Sequence, residues 1–235
     1  MRRGVSLPPL TLVRQFDLHR LIPSQYTGQR GTLLADLVEN ERELLELLEI
    51  EGATHDRTLA AQGRLPGLLN LALLYGGLPF ESVVNAAFLH PSPLGSRFNN
   101  SERGAWYAGF EQETSAAEVA HHKTLQYAEI GIFEDSLTYD DYLCDLSASL
   151  HDLHGALFAP CLDPSSYLDS QALSETLLAQ GSLGVLYPSV RRSGGTCVAL
   201  FHPALVGNVR QGLTLRFTWS GHPQPDVSVQ RSAPV

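Results

Sequence analysis

The chain has 235 residues, a mass of 25.6 kDa and a net charge of −9 at pH 7, which suits one large domain or one domain with an extension. The acidic balance argues against direct binding of nucleic acid, because phosphate contacts need clustered Lys and Arg. Its three cysteines form no CxxC pair, and its apolar runs are too short and interrupted for a signal peptide or a membrane span. We therefore expect a cytoplasmic protein without a disulfide framework.

The first part of the chain is predicted to consist of an N-terminal segment, residues 1–29, and a helical insertion over residues 30–80. Pro8, Pro9 and Pro23 disfavour a helix in the N-terminal segment. Between residues 32 and 51, leucines recur at helical spacing and acidic residues occupy the opposite face. This pattern is typical of an amphipathic helix.

Residues 81–210 are predicted to form an α+β core, and residues 211–235 a C-terminal strand with a tail. Short runs of strand composition are found at residues 83–89, 106–108, 137–146, 183–190 and 197–201. The last two of these are predicted to form a hairpin. The C-terminal strand is expected near residues 213–219, and the tail from Gly221 is expected to be disordered.

Two helices are predicted within the core. The first covers about residues 114–127, where Ser115 and Glu118 have the S-x-x-E spacing of a capping box. The second begins near residue 163, and Gly181 is expected to end it.

Arg97 and Tyr107 are the first two candidate site residues. A guanidinium at Arg97, between a predicted strand and a polar loop, can donate two parallel hydrogen bonds to a diphosphate. A surface arginine or a structural ion pair also fits that residue. Tyr107 lies in a short apolar strand, so its ring either belongs to the core or stacks on a flat ligand while its hydroxyl is hydrogen-bonded.

Glu118 and Ser189 are the next two candidates. Glu118 either caps its helix or faces a cleft where its carboxylate stabilises a positively charged sugar, and the two roles are compatible. Ser189 follows Pro188 at a strand end without a G-x-S-x-G motif, which disfavours a nucleophile. We predict that it donates a hydrogen bond to phosphate or ribose, with an ordinary turn serine as the alternative.

Histidine pairs are the remaining polar feature of note. His121-His122, and His151 with His154, could each supply metal ligands, but no third ligand stands out and H-E-x-x-H is absent. No metal site is therefore predicted. The chain also has no G-x-G-x-x-G motif and no Walker A lysine, which disfavours a Rossmann dehydrogenase or a P-loop enzyme.

Four segments, taken together, resemble the successive motifs of the RES domain family in their order and spacing. They are Gly95-Ser-Arg-Phe, Trp106-Tyr-Ala, Glu113-Thr-Ser-Ala-Ala-Glu118 and Gly184-Val-Leu-Tyr-Pro-Ser-Val-Arg191. The resemblance covers about residues 85–205, and Arg20-Leu-Ile-Pro-Ser24 resembles the arginine-bearing strand that opens the domain. RES proteins are NAD-degrading toxins of bacterial toxin–antitoxin pairs.

The resemblance implies an ADP-ribosyltransferase-like core of two small sheets with flanking helices around an NAD cleft. It places Arg97, Tyr107, Glu118 and Ser189 at active-site positions, with Arg20 as a further anion-binding residue. It implies cleavage of NAD between nicotinamide and ribose, with transfer of ADP-ribose to phosphate or water. NAD is then the substrate and phosphate a candidate co-substrate, with no prosthetic group. The implied partner is an Xre-like antitoxin that blocks the cleft.

The helical insertion makes this chain longer than compact RES toxins, and it leaves two other functions open. One is a mono-ADP-ribosyltransferase that uses the same cleft to modify a protein. The other is a non-catalytic module that holds NAD or a partner. The sequence does not distinguish phosphorolysis from hydrolysis. It also does not indicate the oligomeric state.

Overall fold

The computed structural model describes residues 7–27, 77–89 and 91–230. The strands are β1 (Leu10–Pro23), β2 (Trp106–Gly109), β3 (Glu134–Asp152), β4 (Gly184–Pro188), β5 (Thr196–Leu200), β6 (Gly207–Ser220) and β7 (Asp226–Val229). The α-helices are α1 (Glu81–Leu89), α2 (Gln112–Ile130) and α3 (Leu168–Ala179). Short 3-10 turns cover Ser24–Tyr26, Ala156–Leu162 and Pro203–Leu205. The helical insertion predicted over residues 30–80 lies outside the described residues, apart from residues 77–80.

The strands form one seven-stranded sheet in the order β1-β2-β5-β4-β3-β6-β7, with β1 also paired to β3. Most pairs are antiparallel, and β4 lies parallel to the end of β3. The β1–β2 contact is a single pair, His19 with Gly109, and β3 meets β4 through two pairs at His151 and Asp152. These short contacts join two halves, β2-β5-β4 and β1-β3-β6-β7. The α+β class is confirmed, and the two expected small sheets are joined at both sides.

Helix α2 is fixed to the β3–β6 half by aromatic packing. The ring of Tyr127 lies 4.9 Å from that of Trp219 in an edge-to-face arrangement, and Val119 packs on the same apolar cluster. Trp219 is 2% exposed, and burying an aromatic side chain of this size contributes about 2–3 kcal/mol. This packing holds the second half of α2 against the sheet, and Val119 extends the same apolar contact to the residue next to Glu118.

The segment 83–89, predicted to be a strand, is helix α1. The prediction is wrong because the β-branched Val83 and Val84 suggested a strand, whereas Val84 and Phe88 are both buried and lie four residues apart. The carbonyl of Phe88 accepts the N–H of Gly104, which ties α1 to the chain entering β2.

The capping box predicted for Ser115 and Glu118 is also wrong. Helix α2 begins at Gln112, so Ser115 lies one turn inside it, and the N-cap residue Glu111 makes no side-chain cap. The Ser115 hydroxyl instead donates to the carbonyl of His19 (2.6 Å) and accepts the N–H of Gly109 (3.1 Å). It therefore joins α2 to both strands of the β1–β2 contact and leaves Glu118 free for another partner.

The second predicted helix begins later than expected. Residues 163–166 form a turn in which the Asp163 carboxylate accepts the N–H and hydroxyl of Ser165, and α3 starts at Leu168. The predicted stop is confirmed, since Gly181 follows α3 in the left-handed region at φ +75°. The hairpin is confirmed as β4 and β5.

The C-terminal part contains more strand than predicted. β6 includes the expected residues 213–219, and β7 forms within the tail that was expected to be disordered from Gly221. The reason is that residues 226–229 add to the free edge of β6 through a ladder from Leu215–Val229 to Thr218–Asp226. Among the described residues, no helix is long and apolar enough to cross a membrane.

Candidate active site

A cleft of about 930 Å³ is bordered by both halves of the sheet and by α2. Of the five predicted site residues, Arg20, Arg97, Tyr107 and Glu118 line it. Ser189 does not line the cleft and lies directly behind Glu118. The fold thus brings all five together from β1, β2, α2 and two loops.

Arg97 is held in a tight loop rather than on the surface. It is 6% exposed and forms no ion pair with any described residue. Its Nη1 donates to the carbonyls of Cys161 (3.2 Å) and Asp163 (2.8 Å), and its guanidinium lies 4.7 Å from the ring centre of Tyr167. Both simple alternatives, surface arginine and ion pair, are thereby excluded within the described residues.

Tyr107 connects the Arg97 loop to Arg20. Its hydroxyl donates to Asn99 Oδ1 (2.7 Å) and accepts the N–H of Phe98 (2.9 Å), and its carbonyl accepts Nη1 of Arg20 (3.0 Å). Burial raises the pKa of the Tyr107 hydroxyl well above its ordinary value, so it stays protonated and keeps donating. The hydroxyl is fully used in the fold, and only the ring is available to a ligand.

Arg20 is a charged group in an apolar setting. Its guanidinium lies 4.7 Å from the ring centre of Trp106, and its buried Nε has no hydrogen-bond partner among the described residues. Burial lowers the pKa of Arg20 to about 10, which still leaves it charged at neutral pH. A buried N–H without a partner costs free energy unless an acceptor arrives, so an anion in the cleft would relieve this cost.

Glu118 faces the cleft as a partly desolvated carboxylate. Its Oε1 accepts the Ser189 hydroxyl at 3.1 Å. Burial raises the pKa of Glu118, and the hydrogen bond from Ser189 and the charges of Arg191 and Arg97 oppose that rise. A carboxylate tuned in this way suits the stabilisation of positive charge that develops during a reaction.

Ser189 acts on Glu118 and not on the cleft itself. Its Oγ accepts the backbone N–H groups of Arg191 (3.2 Å) and Arg192 (3.1 Å), so the turn fixes the hydroxyl. The single hydroxyl hydrogen is then donated to Glu118. The predicted bond from Ser189 to phosphate or ribose competes with this one, and we now propose that Ser189 positions Glu118.

We predict that Ser189→Ala lowers turnover about tenfold, the value of one hydrogen bond to a charged group. Because that hydrogen bond lowers the pKa of Glu118, its loss should move the acid limb of the pH–rate profile to higher pH. The check is a pH profile beside Ser228→Ala, which alters an exposed serine of β7. An unmoved acid limb would mean that Ser189 does not act through Glu118.

Arg191 is a cleft residue to which the sequence assigned no role. Its Nη2 donates to the carbonyl of Pro164 (2.8 Å), and its buried Nε has no partner within the described part of the chain. Its neighbour Arg192 instead bonds Thr114 and Glu111 and does not line the cleft. The fourth RES-like motif ends on Arg191 and excludes Arg192, so the sequence pointed to this residue without a role, and the fold places it in the cleft.

His121 and His122 also line the cleft, one turn of α2 after Glu118. Burial lowers the pKa of both imidazoles most; His121 adds to the lowering at His122, and the positive charges of Arg191 and Arg97 add to it at both, which favours the neutral form of each ring. No group of three or more His, Cys, Asp or Glu side chains with metal-binding geometry exists in residues 7–27, 77–89 and 91–230.

The comparisons with known proteins agree with the motifs. The model of the RES domain matches residues 76–220. The chain belongs to the RES domain family. Arg97, Tyr107, Glu118 and Ser189 lie inside the matched residues and Arg20 lies before them.

Among solved structures, the chain is similar to the crystal structure of the M. tuberculosis MbcT–MbcA toxin–antitoxin complex, with 17% identity and a TM-score of 0.41. The likeness covers 57% of this chain and 75% of that one. No curated protein matches the chain.

The charge of this RES cleft is opposite to that of the whole chain. Glu118 is the single carboxylate among the described lining residues, whereas Arg20, Arg97, Arg191 and Lys123 all line it. None of these four cations forms an ion pair within the described residues. Since the chain carries a net charge of −9, this concentration of unpaired cations predicts an anionic ligand.

Proposed function

We propose that this RES protein is a toxin that consumes NAD by cleaving the bond between nicotinamide and ribose, with transfer of ADP-ribose to phosphate or water. The observation that carries the proposal concerns the described residues that line the cleft: they include a single carboxylate, Glu118, and four cations without an ion-pair partner in the described part of the chain. NAD has the matching charges: an anionic diphosphate and one cationic ring at the bond to be broken.

The three arginines are suited to hold the diphosphate. Arg20, Arg97 and Arg191 each donate one amino group to a backbone carbonyl, which fixes the guanidinium. Their remaining N–H groups are free to donate to phosphate oxygens, and anchored guanidinium groups lose little entropy when they bind. Tyr107 also lines the cleft, and its ring is the group that we propose contacts the nicotinamide.

The chemistry follows from the charge of the leaving group. When the C–N bond to ribose breaks, its electron pair stays on the nicotinamide nitrogen, so a cationic ring leaves as a neutral molecule and needs little acid catalysis. The ribose carbon becomes an oxocarbenium-like cation, which the carboxylate of Glu118 stabilises. An oxygen of phosphate or water then bonds to that carbon: an ionised phosphate oxygen has no proton to lose, whereas water releases one proton to the solvent. Positioning and electrostatics supply most of the rate.

Removing one of the three arginines proposed to hold the diphosphate should weaken substrate binding. We predict that Arg191→Gln lowers kcat/KM for NAD about tenfold or more, mainly through KM, because a charged hydrogen bond to phosphate is lost. Arg192→Gln is the matched control, since the adjacent Arg192 bonds Thr114 and Glu111 outside the cleft. Equal effects of the two substitutions on KM would remove Arg191 from the substrate site.

The acceptor is identified by its product. The purified protein should be incubated with NAD, with and without inorganic phosphate, and the products identified by mass spectrometry. Release stimulated by phosphate, with a phosphorylated ADP-ribose, indicates a phosphorylase, and free ADP-ribose at an unchanged rate indicates a glycohydrolase. Mass shifts of one ADP-ribose on co-expressed proteins would instead support a mono-ADP-ribosyltransferase. NAD that is bound and left intact would contradict the proposal.

An Xre-like antitoxin that blocks the cleft belongs to the same proposal. Its support is the family membership of the chain together with the open cleft that exposes Glu118. Nicotinamide release should stop when a cognate antitoxin is added in equimolar amount, and continued release from a formed complex would contradict this part.

A further inference from the structure

A second pocket of about 340 Å³ adjoins the cleft and shares two wall residues with it, Lys123 and Tyr139. It exists because β1 stops early: Pro23 pairs with Tyr139, and residues 136–138 of β3 continue without a β1 neighbour. Gln25 and Tyr26, in the turn after β1, line the space left beside them. The two cavities are therefore neighbours that share Lys123 and Tyr139 as their common wall.

The second pocket is positively charged. Lys123 and Arg216 line it, and no acidic side chain is among its described lining residues. Neither cation forms an ion pair in the described part of the chain; Lys123 donates to Gln126 (3.0 Å) and Arg216 to the Ser136 hydroxyl (3.1 Å). The neighbouring Asp135 accepts the Tyr127 hydroxyl and does not line the pocket.

Tyr139 supplies an observation that is independent of charge. The residue as a whole is 4% exposed and its side chain borders both cavities, while its hydroxyl oxygen is open to solvent and forms no hydrogen bond with any described residue. Burial raises the pKa of this hydroxyl to about 12, so at neutral pH it carries a proton to donate. A protonated hydroxyl at a cavity wall without a protein partner can donate its hydrogen to a ligand in that cavity.

We propose that this second pocket is a phosphate-binding subsite formed by Lys123, Arg216 and the Tyr139 hydroxyl. Two cations and a neutral donor around a small space match the tetrahedral, acceptor-only oxygens of a phosphate group. The group is either the extra phosphate of a 2′-phosphorylated dinucleotide bound in the cleft or free inorganic phosphate. The first source rests on the proposed function, and the second does not.

The test measures binding in two arms. In the first, calorimetry compares the affinities for NAD and NADP in a Glu118→Gln background, so that neither is consumed. In the second, inorganic phosphate is titrated and followed by phosphorus NMR. Lys123→Gln and Arg216→Gln are compared with Arg14→Gln, which removes one exposed arginine of β1 that lines neither cavity. Circular dichroism confirms that each variant is folded.

If the dinucleotide supplies the phosphate, NADP should bind roughly tenfold or more tightly than NAD, and each pocket variant should reduce that preference about tenfold. If free phosphate is the ligand, both variants should weaken its binding by a similar factor while Arg14→Gln does not. An unchanged NADP preference together with unchanged phosphate binding would overturn the subsite. Loss of all dinucleotide binding, with phosphate binding still sensitive to both variants, would overturn the proposed function and retain the subsite.

Discussion

Glu118→Gln is expected to lower nicotinamide release about 100-fold or more while the protein stays folded. Glutamine keeps the length of the side chain, and its amide oxygen can still accept the Ser189 hydroxyl that now reaches Oε1 at 3.1 Å. Only the negative charge that stabilises the oxocarbenium-like ribose is removed. The measurement is the rate of nicotinamide formation at saturating NAD.

The control for this substitution is Glu113→Gln. Glu113 lies in the first turn of the same helix and is exposed, so its variant removes a charge near Glu118 without altering the cleft wall. It should retain nearly full activity. A fully active, folded Glu118→Gln protein would exclude Glu118 from the chemistry.

The same substitution has a consequence for stability, with a defined sign. Because burial raises the pKa of Glu118 above its ordinary value of 4.5, the ionised carboxylate costs the folded state free energy, and this cost appears as the pH rises through the raised pKa. Glu118→Gln should therefore increase Tm at pH 7 by a small amount, on the order of 2 °C. The increase should vanish below pH 4.5, where folded and unfolded chains are both protonated. In the unmodified protein, protonation of Glu118 in acid should remove the cost to stability, and it should also lower the activity.

Gly95→Ala is expected to destabilise the fold strongly and to abolish activity with it. Gly95 has φ +72°, and a Cβ there would collide with the backbone carbonyl of Asn99 and lie 2.9 Å from Cα of Asn100. The turn would have to open, which displaces Arg97 and breaks the Asn99–Tyr107 hydrogen bond. We expect a loss of about 3 kcal/mol or more in the free energy of unfolding, measured by urea denaturation.

Gly131→Ala separates the cost of a side chain at positive φ from the cost of the collision made by the added Cβ. Gly131 ends α2 with the same φ of +72°, and nothing lies within 4 Å of its added Cβ. This control should lose only the cost of the left-handed backbone, about 1–2 kcal/mol, and should keep its activity. Equal losses in the two variants would show that the contacts of the Gly95 turn do not matter.

The sequence predicted the elements whose pattern is local. The β4–β5 hairpin and the glycine stop at Gly181 are confirmed because turn residues and strand composition determine them at short range. Helix α1 was missed because Val83 and Val84 favour a strand until Val84 and Phe88 are buried together. β7 was missed because its residues are stabilised by the edge of β6, a partner that local composition does not reveal.

The sequence predicted most of the residues that line the candidate site, but it did not predict the hydrogen bonds that join them. Motif order pointed to Arg97, Tyr107 and Glu118, and all three line the cleft, although their catalytic roles stay predictions. The position of Ser189 behind Glu118 depends on a contact across 71 positions of the chain, and no local pattern encodes it. The fourth motif included Arg191, but its position in the cleft, which Arg192 does not share, follows from the folded turn after Ser189.

The most direct test of the account is release of nicotinamide from NAD by the unmodified protein, purified free of any partner and supplied with phosphate, with both compounds followed by chromatography. We predict that nicotinamide forms continuously, in an amount equal to the NAD lost and over many turnovers. A folded protein that binds NAD saturably and releases no nicotinamide would contradict the claim that this cleft breaks the nicotinamide–ribose bond.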